Sequence, residues 1–215
     1  ADFSGSMTGS PMDACMAITI LLSDLAEDEW KNKFLSFESQ PQWISLSYPR
    51  SLNEFSTSYY RNFSKYDSTR AGGELTFCEK VKVCGASPWG GSTNFLKAHE
   101  LMIQVAKQNN LPKEKFPEWF ICPSDMQFDS ASGNNYNNDW EDNYELLEKM
   151  YIQAGYDMPQ MIYWNLRSTD TFVTQNRKGV QLMSGFNTNQ LKNFLETLEI
   201  QEITPWDTFL NAVQD

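Results

Sequence analysis

The chain has 215 residues, enough for one domain with a sizeable buried core. Its 40% hydrophobic and 14% aromatic content excludes a disordered chain. The formal net charge of -11 and a sequence pI ≈ 4.6 repel phosphate backbones and suit cations, so direct nucleic-acid binding by this segment is not expected.

Residues 12–25 (MDACMAITILLSDL) are almost continuously apolar and too long for a strand, which predicts a buried helix. Lys33–Glu38 and Trp43–Ser47 read as two strands around a Gln40-Pro41 turn, and so as a hairpin. Ser51 is placed to cap a helix to about Phe63, with Glu54 set for a capping box. Residues 64–92 read as irregular, with a short helix near Leu75–Val83. Phe95, Ala98, Met102 and Val105 recur at helical spacing within Asn94–Asn109. Glu118–Cys122 reads as a buried strand and 134–138 as a polar loop. Trp140, Tyr144, Leu147 and Tyr151 predict an amphipathic helix, and Gln160–Leu166 and Val180–Ser184 two further strands. Leu191, Phe194, Leu195 and Leu198 mark another helix, and Thr204-Pro205 opens a short last one. Strands alternating with amphipathic helices predict one α/β domain over 1–215 with helices on both faces of its sheet.

Four cysteines, Cys15, Cys78, Cys84 and Cys122, have no metal-ligand spacing, and His99 is the chain's sole histidine. All five read as structural. Without a disulfide framework, a reducing, cytoplasmic setting is expected. No run is apolar and long enough to span a membrane.

Three short stretches carry chemistry. Asp2-Phe3-Ser4-Gly5-Ser6 alternates a carboxylate with two hydroxyls just before the buried helix, and its glycine permits a tight loop. Small hard oxygens in that arrangement suit Mg²⁺. Gly90-Gly91-Ser92-Thr93 precedes the next long helix and presents a hydroxyl at its start. Ser124-Asp125 follows a strand, where a parallel sheet delivers its carboxyl ends and ligands collect. Taken singly, each is also what an ordinary cap or turn looks like.

Together, in this order and against these elements, the three resemble the metal-ion-dependent adhesion site of the von Willebrand factor A (vWA) family. The resemblance covers nearly the whole chain. SPWGGSTNF, SDMQFD, WNLR and KGVQLMSGF are further similar to a vWA family of plants, fungi, amoebae and giant viruses, itself distantly similar to the Ro autoantigen. The resemblance implies a Rossmann-like fold, a mostly parallel central sheet with one antiparallel edge strand. It implies a metal, Mg²⁺ with Mn²⁺ or Ca²⁺ as substitutes, held by Asp2, Ser4, Ser6, Thr93 and Asp125. Ser4 and Ser6 would ligate directly, Asp2 and Asp125 mostly through water, and Thr93 in either way. A protein partner would supply an Asp or Glu to the last position, and exchange of Thr93 between its two modes would move the helix at Asn189–Ile200. A helical domain of the same protein, N-terminal to this segment, is implied through the Ro likeness. In one respect the chain departs from the family: almost all of the hydrophobic strand that should run into Asp2 is absent, so this sequence is expected to be a fragment.

The rival readings are weaker on the residues. A Mg²⁺-dependent phosphohydrolase of the haloacid dehalogenase type wants a second acid where this chain has Ser4. A serine hydrolase wants a base and a nucleophile elbow, and a phosphate loop with Gly-Lys-Ser/Thr is absent. No enzymatic activity is expected. A metal-free scaffold is the other alternative. Basic residues such as Lys31, Arg61, Lys80 and Arg177 are scattered rather than interleaved with aromatics, which disfavours an RNA surface.

Overall fold

The computed structural model describes residues 1–36, 40–87, 95–125, 139–167 and 179–185. Thr93, the 134–138 loop and the two helices expected after residue 186 lie outside the described residues.

The apolar run forms α1, Ser10–Leu25, with Pro11 in the first turn, where a missing N–H costs nothing. Its N-cap is Gly9 at φ 95° and ψ -150°, a region open almost only to glycine. The predicted hairpin is present as β1, Lys33–Leu35, and β2, Trp43–Ser45, antiparallel with Phe34 opposite Ile44. Both strands are shorter than the sequence pattern suggested.

The helix expected from Ser51 to about Phe63 is instead α2, Leu52–Phe55, followed by a 3₁₀ turn at Ser58–Tyr60. Ser51 does cap it, accepting from the Glu54 N–H at 3.2 Å, but Glu54 reaches back to the Arg50 N–H (2.6 Å) rather than to that of Ser51. The Ser56 and Thr57 hydroxyls then donate to the Leu52 and Glu54 carbonyls at 2.7 and 2.8 Å, competing with the helical ladder. The turn lets Phe55, Tyr60 and Phe63 pack ring on ring, with Tyr60 and Phe63 centroids 5.7 Å apart. Aromatic burial here outweighs helix continuity.

The short helix near Leu75 is α3, Phe77–Ala86, displaced towards the C-terminus because Thr76 caps it in a complete capping box with Glu79. Lys80 on α3 is buried and ion-paired with Asp24 of α1, and it donates to the Asn32 side chain at 3.1 Å. α4 is Phe95–Gln108, and α5 is Asp139–Ala154.

β3, Trp119–Ser124, β4, Gln160–Asn165, and β5, Val180–Ser184, form a parallel sheet in the order β3-β4-β5. β4 alternates between two cores. Ile162 and Trp164 join Phe3, Met7, Cys15 and Ile20 with the hairpin and α3. Met161 and Tyr163 join Ala98, Met102, Leu147 and Tyr151 on α4 and α5. Four successive buried residues in β4 match a parallel strand covered on both faces. The expected helices on both faces are present in this mixed α/β architecture.

The antiparallel element differs from expectation. Among the described residues the hairpin is a sheet of its own, not an edge strand of the parallel sheet. Ala1 and Asp2 stand between the two sheets. The Ala1 amine donates to the Leu35 carbonyl at 2.7 Å, and the Asp2 N–H donates to the Pro123 carbonyl at 3.2 Å. One bond to each side ties the sheets together without a continuous ladder.

Candidate metal centre

The loop from Asp2 to Thr8 is shaped by two apolar anchors. Phe3 and Met7 are buried, and Phe3 packs edge-on against Phe34 of the hairpin with centroids 5.5 Å apart. Between them Gly5–Met7 makes a 3₁₀ turn, with Met7 N–H donating to the Ser4 carbonyl at 3.0 Å. The polar side chains are thereby left on the side away from the core: Ser4 and Ser6 are half-buried and Gly5 is exposed. Gly5 is not the residue that the loop geometry requires, because a Cβ there would meet open space; the demand falls on Gly9.

The Ser4 and Ser6 hydroxyl oxygens lie 2.8 Å apart. Asp2 is 1% exposed, and its carboxylate is gripped from two directions. Oδ1 accepts the Ser4 N–H at 2.9 Å, and Oδ2 accepts the Ser124 hydroxyl at 2.5 Å. No lysine, arginine or histidine among the described residues forms an ion pair with it. Asp125, the next residue after Ser124, is fully buried at the end of β3. The sequence thus brings Asp2, Ser4, Ser6 and Asp125 to the carboxyl end of the parallel sheet, while Thr93 lies outside the described residues.

Beneath the loop, the Cys15 thiol of α1 donates to the main-chain carbonyls of Asp2 (3.3 Å) and Pro123 (3.6 Å). Burial pushes this thiol up to about 12, and its S–H is directed at the two main-chain carbonyls. The oxygen donors that remain are hard ones, and they fit Mg²⁺ rather than a soft metal. Among the described residues no three His, Cys, Asp or Glu side chains cluster so as to hold a metal ion.

Two contributors have no role of their own in the sequence reading: Ser124 stands in the Ser124-Asp125 stretch only as the neighbour of the candidate carboxylate, and Cys15 reads as a small buried hydrophobe. A hydroxyl ending an otherwise apolar strand was the available signal for Ser124. The register extends that signal: Ser124 of β3 pairs with Asn165 of β4, which pairs with Ser184 of β5, so a polar row crosses the carboxyl ends of all three strands.

The fold and this loop define a mixed α/β protein in which the Asp2 carboxylate meets the Ser4–Ser6 loop and Ser124 at the carboxyl end of a parallel sheet. The chain belongs to the family described as Domain of unknown function (DUF7788), which it matches over residues 1–69 and 58–212. It is similar to the uncharacterized protein L728 of Acanthamoeba polyphaga mimivirus, 26% identical over 216 residues. That likeness covers 99% of this chain and 32% of the viral protein, so the chain spans about a third of the relative's length. No solved structure matches. Among the described residues no helix is long and apolar enough to cross a membrane.

Proposed function

We propose that this chain is a metal-dependent protein–protein interaction module of the vWA type. In this reading Asp2, Ser4, Ser6, Thr93 and Asp125 hold a Mg²⁺ ion, and an Asp or Glu of a partner protein completes its shell. The observation that carries the reading is the buried Asp2 carboxylate, fastened by an N–H and a hydroxyl with no cationic side chain among the described residues ion-paired to it, beside the paired hydroxyls of Ser4 and Ser6. Such a carboxylate is costly to bury, and a cation on its remaining lone pairs would offset that cost. A bound ion would supply electrostatic attraction for an incoming acid. With only two carboxylates around it, the ion keeps net positive character.

Binding is favoured over catalysis because the chain's sole histidine is elsewhere. His99 is buried between α4 and α5 with Nδ1 2.7 Å from the Tyr151 hydroxyl, and it provides no base beside Asp2. Calorimetric titration with Mg²⁺ and Mn²⁺ tests the proposal. The wild-type chain takes up one ion, and Asp2→Asn and Ser4→Ala abolish or strongly weaken uptake. Absence of heat at millimolar metal would leave the scaffold alternative, and phosphatase turnover lost on Asp2→Asn would replace binding by catalysis.

A further inference from the structure

We infer that Ser124 is a positioning residue of the metal centre, acting on it through Asp2. The inference rests on the metal-site reading above and goes beyond its five ligands.

Ser124 is fully buried, at the last position of a strand whose Trp119–Cys122 stretch serves the two cores. Its hydroxyl donates to Asp2 Oδ2 across 122 positions of chain at 2.5 Å, the short end of the range for a hydroxyl on a carboxylate. Asp2 Oδ1 is held separately by the Ser4 N–H. A carboxylate clamped at one oxygen can still swing about its terminal torsion, which is broad and soft. Clamped at both, it has one orientation. A carboxylate has about four acceptor sites, so two bonds leave roughly half of them for water or a cation. Because Oδ1 bonds the Ser4 amide, fixing the carboxylate also fixes Ser4, and with it the hydroxyl pair of Ser4 and Ser6.

The main chain does not depend on this bond. Asp2 is joined to Pro123 by its own N–H, and the Cys15 thiol bridges both carbonyls. Losing the Ser124 hydroxyl therefore loosens the carboxylate while the segments stay in register. Partners that orient metal ligands in this way typically change affinity 10- to 100-fold when removed.

The test compares Ser124→Ala, Ser124→Thr and Ser124→Cys in calorimetric Mn²⁺ titration, with metal-free thermal melting and the Ser4 amide resonance as readouts independent of the ion. Ser124→Ala is expected to weaken Mn²⁺ binding about tenfold and to shift the Ser4 amide signal without metal. Ser124→Thr, which keeps the hydroxyl, restores both. If Ser124→Ala does not fold, Ser124→Cys, with a weak donor in nearly the same volume, takes its place and is expected to behave like it. Wild-type affinity in Ser124→Ala, with Asp2→Asn inactive, overturns the role of Ser124 and leaves the metal reading standing. Equal losses in the Ala and Thr variants, parallel to their melting temperatures, reduce Ser124 to a packing residue and also overturn it. No Mn²⁺ uptake by the wild-type chain overturns both readings.

Discussion

His99 Nδ1 and the Tyr151 hydroxyl lie 2.7 Å apart and join α4 to α5 inside the core. His99 also packs against Phe120 with ring centroids 4.3 Å apart. Burial depresses its pKa from the ordinary 6.5 to about 3. In the folded chain it is therefore neutral across a window where the unfolded chain takes up a proton. Its contribution is complete above pH 6.5 and is lost as pH falls towards about 3. The slope is about 1.4 kcal/mol per pH unit inside that window. Urea unfolding at several pH values between 6.5 and 5 should show this component in the wild type and not in His99→Phe. Parallel pH profiles for the two would contradict it.

The four cysteines are free and differ in access: Cys78 is exposed, and Cys15, Cys84 and Cys122 are buried. Burial pushes Cys15 and Cys84 up to about 12 and Cys122 higher still. An aromatic disulfide reagent at pH 8 should label Cys78 rapidly and the other three only on unfolding. Mass spectrometry of the early product identifies the site. Early modification of Cys15 would mean that α1 does not close beneath the Asp2 loop as described.

Helix α3 depends on its N-terminal cluster. The Glu79 carboxylate accepts both Arg70 guanidinium nitrogens at 2.8 and 2.9 Å and the Thr76 N–H at 2.9 Å, which together hold its pKa down to about 2. The sign follows from the lowered value: the stabilisation is full above pH 4.5 and is lost as pH falls through about 2. Thr76→Ala should cost about 1 kcal/mol at neutral pH. Glu79→Gln should also destabilise at neutral pH, with the gap to wild type narrowing in acid. A gap that widens below pH 4.5 would reverse the assignment.

The two loop glycines should respond in opposite ways to alanine. Gly9→Ala forces a side chain into φ 95° and should cost about 1–3 kcal/mol. Gly5→Ala places a methyl group in open space and should change stability by less than about 0.5 kcal/mol. Thermal melting of both variants distinguishes the positions. Equal effects would show that the turn is not anchored at Gly9.

Much of this protein is legible from local spacing. The runs that become α1, α4, β3, β4 and β5 announce themselves because hydrophobic periodicity is a property of consecutive residues. The Asp2-Ser4-Ser6 alternation and an aspartate after a strand are equally local, and so the candidate donors could be named without coordinates. Helical spacing does not reveal that α2 stops at Phe55, because ring packing among Phe55, Tyr60 and Phe63 is a tertiary matter.

What only the tertiary structure decided are the contacts between distant positions. Ser124 meets Asp2 and Cys15 lies under both Asp2 and Pro123, while the hairpin stands apart from the parallel sheet with Ala1 and Asp2 between them. Each contact depends on strand register and on which faces pack together, and a shift of one residue in β3 would carry Ser124 away from Asp2. The sequence alone named the candidate oxygen donors; the packing of α1 against β3 decided how the Asp2 carboxylate among them is held.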